Sequence, residues 1–286
     1  MNRILGTTAP ARRGWRTLSR APWVRIGALV VVVVVLVVAC LAPIFLKDST
    51  QQDVLLGVTP PGDGHPLGTD ELGRDVFSLL LAGATTSVLG ALAIAAGSML
   101  IGVLIGTPAG YFGGRFDAVA MRWTDLMFSI PALLVAIVVS GVMGGGYILA
   151  IGVLIILFSP GDTRVARSGA LEQTHKPYVE AARVLGLSST RILGRHVWPN
   201  VAPLSLANAF LNFAFALVAL ASLSFLGLGV GPGSPDWGRT LAESRTLLFD
   251  NPWAAIAPGL AIIITAASVN ILGDWLAARS SVGSKR

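Results

Sequence analysis

Charge is what this 286-residue chain lacks first. Asp, Glu, Lys and Arg make up 13% of it, 53% is apolar and the mean hydropathy is +0.72; soluble domains carry about 25% charged residues. So few polar side chains cannot cover so much apolar surface in water, and the composition specifies an all-α integral membrane protein. Cysteine is nearly absent as well: Cys40 alone excludes an internal disulfide and any multi-cysteine metal site. The commonest catalytic patterns are missing. No Gly precedes a Lys, so there is no phosphate loop; there is no His-Glu-x-x-His and no Gly-x-Ser-x-Gly turn. His65, His175 and His196 fall in polar stretches or at a membrane edge. An enzyme is not expected, and no metal or cofactor is assigned to the chain.

What is present is long apolar runs. A bilayer core takes about 20 apolar residues per helix, and a charge inside it costs roughly 2.5–3.5 kcal/mol. Stretches without Asp, Glu, Lys or Arg therefore mark the spans: 21 residues between Arg25 and Lys47, 39 between Asp75 and Arg115, 36 between Asp125 and Asp162, 40 between Arg195 and Asp236, and 23 between Asp250 and Asp274. Basic residues collect on the cytoplasmic side. The first 25 residues carry six Arg and no acid, segment 47–75 carries two basic against six acidic residues, and segment 162–195 carries six basic residues. An even number of crossings must then lie between 125 and 162, with Gly144-Gly145-Gly146 as the hairpin between them.

The resulting plan has six transmembrane helices and both termini in the cytoplasm. A basic tail, 1–24, precedes a first span at 25–46 and an extracytoplasmic segment at 47–77. The transmembrane domain covers 78–276, with spans near 84–107, 122–143, 146–162, 202–226 and 254–275 and a cytoplasmic loop at 163–200; a tail, 277–286, closes the chain. This places all but four of the 21 basic residues (Lys47, Arg74, Arg239 and Arg245) on the cytoplasmic side. The net charge of +6 is thereby accounted for by topology, and no basic domain remains for nucleic acid. Val37-Val38-Ala39-Cys40 resembles a lipoprotein cleavage box, but the apolar stretch exceeds the 7–15 residues of a signal core and reads as an uncleaved span.

The most patterned segment is the 163–200 loop. Pro177 suits a first helical turn, good helix formers follow to Leu185, and Gly186 is a stop. Ser188 or Ser189 can cap a second short helix carrying Arg191 and Arg195, which Pro199 would end. Ala181, Ala182 and Gly186 would let another backbone approach, while Glu180, Arg183 and Arg191 orient it. The bland alternative is an amphipathic helix lying on the membrane surface.

Glu180-Ala181-Ala182-x-x-x-Gly186 followed by Pro199 resembles the cytoplasmic loop of permease subunits of bacterial ABC importers. The family pattern has Ile where His196 stands and Leu where Trp198 stands. Further segments resemble the dipeptide/oligopeptide/nickel branch: His65-Pro66-Leu67-Gly68-Thr69-Asp70-Glu71-Leu72-Gly73-Arg74-Asp75, Gly110-Tyr111-Phe112-Gly113-Gly114-Arg115-Phe116-Asp117, Pro258-Gly259-Leu260 and Asn270-Ile271-Leu272-Gly273-Asp274. The resemblance implies a preliminary helix plus a five-helix type I importer core, working with a homologous second permease, one or two ATP-binding subunits that hold ATP and Mg, and an extracytoplasmic substrate-binding protein. The loop would be the coupling element, and peptides the best substrate reading, with nickel, haem or other small ligands open.

Three weaker patterns remain. His65, Asp70, Glu71 and Asp75 could ligate a metal, but Gly and Pro punctuation with an Asp–Arg pair explains the segment as turns. Ser98, Gly102, Gly106 and Gly110, four apart, predict one flat helix face for close packing. Asn208, Asn212 and Asn270 lie inside spans and must face protein or a watery path, with contact between helices favoured. No charge is expected mid-membrane, which argues against a self-sufficient carrier or channel; a membrane scaffold is the other alternative.

Overall fold

The computed structural model describes residues 22–46, 49–62 and 64–283, with side chains to 279; the expected tail 1–24 lies almost wholly outside them. Helix α1 spans Pro22–Phe45. Its valine run would favour a strand in a soluble protein, but a chain crossing lipid must satisfy its backbone internally, and a helix does so. Ala28, Ala39 and Ala42 form its buried face, and Thr85 Oγ1 donates to the Ala39 carbonyl at 2.8 Å.

Helix α2 spans Val76–Phe112 and is capped by Asp75, whose Oδ2 accepts from the Ser78 amide at 2.8 Å and the Ser78 hydroxyl at 2.6 Å. It ends at Gly113 and Gly114, both in the left-handed region that glycine adopts without penalty. The expected flat face is there. A β-carbon built on Gly102 would lie 2.3 Å from Asp162 Cβ, one on Gly106 2.3 Å from the Thr163 carbonyl oxygen, and one on Gly110 2.6 Å from that of Arg167. Only glycine admits this contact.

The partner helix differs from expectation. A single span was expected at 122–143. The chain instead forms α3, Gly114–Phe128, and α4, Ala132–Val142, bent by 80°. Pro131 supplies the break: it lacks an amide hydrogen and disfavours helical geometry at Ile130. The Gly144–Gly146 hairpin follows, with all three glycines at positive φ. Helix α5 then runs Tyr147–Thr174, so the short span expected at 146–162 is a 28-residue helix that takes up the first third of the expected loop. Asp162, Arg164 and Arg167 were read as boundary charges, but partners on other helices allow the helix to pass through them.

Helices α6, Pro177–Val184, and α7, Ser189–Ile192, form the knob. A π-helical turn at Leu193–Val197 leads directly into α8, Trp198–Phe225. Pro199 therefore does not end a helix; it lies just after the π-helical turn, inside a continuous helical run from Ser189 to Phe225. After α8 come a short helix α9, Trp237–Glu243, and α10, Trp253–Gly283, which continues through most of the expected tail 277–286.

Five helices are long and apolar enough to cross a membrane, six when the bent α3–α4 pair counts as one, and no strand occurs among the described residues. The core lies where α2, α5 and α8 meet, around Val88, Ile94, Leu154, Leu217 and Leu220, with α1 and α10 laid against it. The bundle has two unlike ends. At one, segment 49–75 folds onto α9 and the loop before α10. At the other lie the knob, α3, the start of α1 and the end of α10.

Candidate coupling surface

The knob has an inward and an outward face. Val179, Ala182, Ile192 and Val197 are buried against Ala166 and Ala170 of α5 and Val201 of α8. Gly186, at φ 75°, lets the chain reverse between α6 and α7. Its amide donates to the Arg183 carbonyl at 3.0 Å and that of Leu187 to the Ala182 carbonyl at 3.1 Å, a helix stop closed by backbone alone. Ser188 occupies the N-cap position of α7, but its hydroxyl meets Thr190 Oγ1 at 3.3 Å instead of capping.

Ala182, grouped by its sequence with the docking surface, thus faces inward and anchors the knob. Glu180, Ala181, Arg183, Gly186, Arg191 and Pro199 are exposed. So are Val184 and Leu185, at 89% and 78%, an apolar tip that sequence reasoning passed over as ordinary helix formers. The outward surface is therefore two large aliphatic side chains ringed by Glu180 and Arg183. Tyr178 bridges the end of α5 and the start of α8: its hydroxyl donates to Gln173 Oε1 at 2.6 Å and accepts from Asn200 Nδ2 at 3.4 Å, and Asn200 Nδ2 also donates to the His196 carbonyl at 2.6 Å.

Three contacts missed at first hold the knob's base. Arg183 lies over the Tyr111 ring, 5.3 Å from its centroid. Arg167 pairs with Asp117 of α3, Nη2 donating to Oδ2 at 2.6 Å. Arg164 donates to Asp125 Oδ1 at 2.5 Å and lies over Phe128. The Gly110–Asp117 motif therefore supports the knob. Opposite charges at Asp117, Asp125, Arg164 and Arg167, flanking one hairpin, were the available signal.

One acidic side chain is buried inside the bundle. Asp162 is 2% exposed within α5, where its Oδ1 accepts from Asn208 Nδ2 at 2.7 Å and its Oδ2 from Asn212 Nδ2 at 2.9 Å. Both asparagines are contacts between helices. Asn270 is half-buried on α10.

At the opposite end, the cluster His65–Asp75 is occupied with its own neighbours. Arg74 Nε donates to Asp70 Oδ2 at 2.6 Å, the expected Asp–Arg pair, and Arg74 Nη2 to Glu243 Oε2 at 2.8 Å. His65 Nδ1 lies 3.2 Å from Asp75 Oδ1, and Thr246 donates to Glu71 at 2.6 Å. Burial alone would raise the Glu243 carboxyl, but hydrogen bonds and charge from Arg239 and Arg74 outweigh it and hold it below the usual range.

A polytopic bundle with a packed knob at one end, its tip apolar and its base salt-bridged, defines the class of this chain as a multi-span membrane protein. Residues 99–282 match the family model described as "Binding-protein-dependent transport system inner membrane component", and the chain belongs to that family. It is 34% identical to the Di/tripeptide transport system permease protein of Pseudomonas aeruginosa over 94% of this chain and 90% of that one. It is 37% identical to the Glutathione transport system permease protein of Pectobacterium atrosepticum over 76% and 72%. The inward-facing MetNI methionine ABC transporter shares the fold, with a TM-score of 0.51 at 19% identity over 71% of this chain and 96% of that one. The chain is thus an ABC-importer permease subunit, multi-pass in the inner membrane, as the Glu180–Gly186 pattern led one to expect.

Proposed function

We propose that this chain forms half of the translocation pathway for peptides or similar small solutes and couples it to ATP hydrolysis on partner subunits. It catalyses nothing itself; ATP and Mg belong to the ATP-binding subunits. The 177–200 knob and both termini face the cytoplasm. A homologous second permease supplies the other half of the path, two ATP-binding subunits, identical or different chains, grip the two knobs, and a binding protein delivers substrate at the 49–75 end. Peptide as substrate rests on the relatives' names.

The observation that carries the reading is the exposed Val184-Leu185 tip on a knob whose opposite face is packed into α5 and α8. Two aliphatic side chains left in water gain from burial in a groove, about 1.5–3 kcal/mol each when fully covered. Because the knob is rigidly joined to two spanning helices, displacing it moves them. ATP-driven closure of the gripping subunits would then reopen the path on the far side, and hydrolysis would reset it.

The test is co-purification of the tagged chain from its membrane in mild detergent, followed by ATP-driven peptide uptake in proteoliposomes. Leu185→Asp and Glu180→Lys should each release the ATP-binding subunit and abolish uptake. A wild-type chain that purifies alone in several detergents, or uptake that survives both changes, would return the reading to a self-sufficient carrier or a scaffold.

A further inference from the structure

We propose that Asp162, with Asn208 and Asn212, is a clamp that makes α5 and α8 move as one lever; this rests on the coupling reading above. These two helices enter and leave the knob and are its covalent connection to the rest of the bundle. Their joint at the knob is apolar: Ala166 and Ala170 against Val201. Small aliphatic surfaces of this kind can slide, which is how packed helices shear.

The clamp sits one to two turns further into the bundle, and its geometry resists sliding. One carboxylate accepts from two amides, at 2.7 and 2.9 Å, and those amides are four residues apart on one face of α8. Two attachment points fix α8 against α5 both along and around its axis. On its other side Asp162 has no room to swing away, since a β-carbon at Gly102 of α2 would meet Asp162 Cβ at 2.3 Å. No salt bridge reaches the carboxylate among the described residues, so the two asparagine amides of α8, with the Ser98 hydroxyl of α2, carry its solvation. Letting go would strand a buried carboxylate, and that is what keeps the joint closed while the knob is pushed. From Asp162 to Tyr147, α5 continues for about 22 Å at 1.5 Å per residue, enough to carry the movement to the far end of the bundle.

Asp162 is a positioning residue on this account, so the decisive readout is substrate imported per ATP hydrolysed. The full complex, with second permease, ATP-binding subunits and binding protein, is reconstituted in proteoliposomes. Asp162→Leu should lower that ratio by about fivefold or more while the complex still assembles and hydrolyses ATP. The exchange Asp162→Asn with Asn208→Asp, which restores a carboxylate between amides, should recover most of it. An unchanged ratio in Asp162→Leu, or an exchange variant no better than Asp162→Leu, overturns the clamp. Should Asp162→Leu fail to assemble, a cross-link decides. In a Cys40→Ala background, Gly169→Cys with Val201→Cys joins α5 to α8, since a β-carbon at Gly169 would lie 3.3 Å from Val201 Cγ1. If the helices move together, oxidation leaves uptake intact; loss of uptake that reduction reverses overturns the proposal. A wild-type complex with no ATP-driven uptake is a different result: it removes the coupling reading itself, and the clamp with it.

Discussion

Arg74 joins two segments 169 residues apart: its guanidinium donates to Asp70 four residues before it and to Glu243 on α9. The pair is buried, Arg74 at 4% exposure and Asp70 at 6%. Removing one partner of such a network leaves uncompensated charge, at a cost of about 3–5 kcal/mol. Arg74→Ala should therefore lower the detergent-solubilised melting temperature and open segment 49–75 to protease. Arg74→Lys should recover only part, because a point-charge ammonium lacks the fork that reaches both carboxylates. Equal stability of Arg74→Ala and wild type would show that the network holds nothing.

Glu243 sets the pH dependence of the same contact. Its carboxyl is held below the ordinary glutamate value despite burial, by Arg239 and Arg74. A depressed folded-state pKa contributes stability that is fully present above the unfolded value, about 4.3, and is lost as pH falls through the folded value. Protease sensitivity of segment 49–75 should rise on acidification below about pH 4.3 and be flat from there to neutrality. Glu243→Gln should remove the acid-dependent step while lowering stability at neutral pH.

Two helical glycines, Gly106 on α2 and Gly141 on α4, make opposite predictions according to what they face. Gly106→Val places side-chain atoms into the Thr163 carbonyl, a backbone group of α5 that cannot step aside. Overpacking costs about 1–3 kcal/mol or more, so this variant should express poorly and unfold earlier. Gly141 on α4 meets nothing within 4 Å. Gly141→Ala should be neutral or stabilise by about 0.4–1 kcal/mol. Thermal unfolding of both in one detergent checks the contrast; a harmless Gly106→Val would mean that α2 and α5 are not held this close.

How much of this was legible follows from what each signal depends on. The flat Ser98–Gly110 face and the Gly144–Gly146 hairpin were readable because they rest on backbone requirements that glycine alone meets. The Gly186 stop was readable for the same reason, and the Pro177 start because proline's fixed φ and missing amide suit a first helical turn. Treating charges as helix limits failed at α5, because Arg164, Arg167 and Asp162 each find partners from helices distant in sequence. The break at Pro131 was visible in principle; the apolar run around it masked it. Val184 and Leu185 could not be told from core residues without knowing that Val179 and Ala182 take the inward face. Asp162 and its two asparagines were each noticed, on opposite sides of the loop, and only the fold brings them together.

Arg183 and Tyr111 offer the sharpest check on how the knob is held. The guanidinium stacks over the ring from the exposed side, where a cation–π contact contributes about 0.5–1 kcal/mol. Tyr111→Phe keeps the ring and should leave coupling unchanged. Tyr111→Leu removes the ring's electrostatics, and Arg183→Ala removes the cation. Each should weaken binding of the ATP-binding subunit by roughly two- to fivefold, since about 1.4 kcal/mol is tenfold. The double variant should be no worse than the worse single one, because the two changes delete the same contact. Additive losses would instead mean that Arg183 acts on the partner subunit directly, as an outward charge of the docking surface, with Tyr111 serving only the packing beneath. The binding constants of the four proteins separate the two, and they decide whether the Gly110–Asp117 motif is part of the coupling device or of the bundle that carries it.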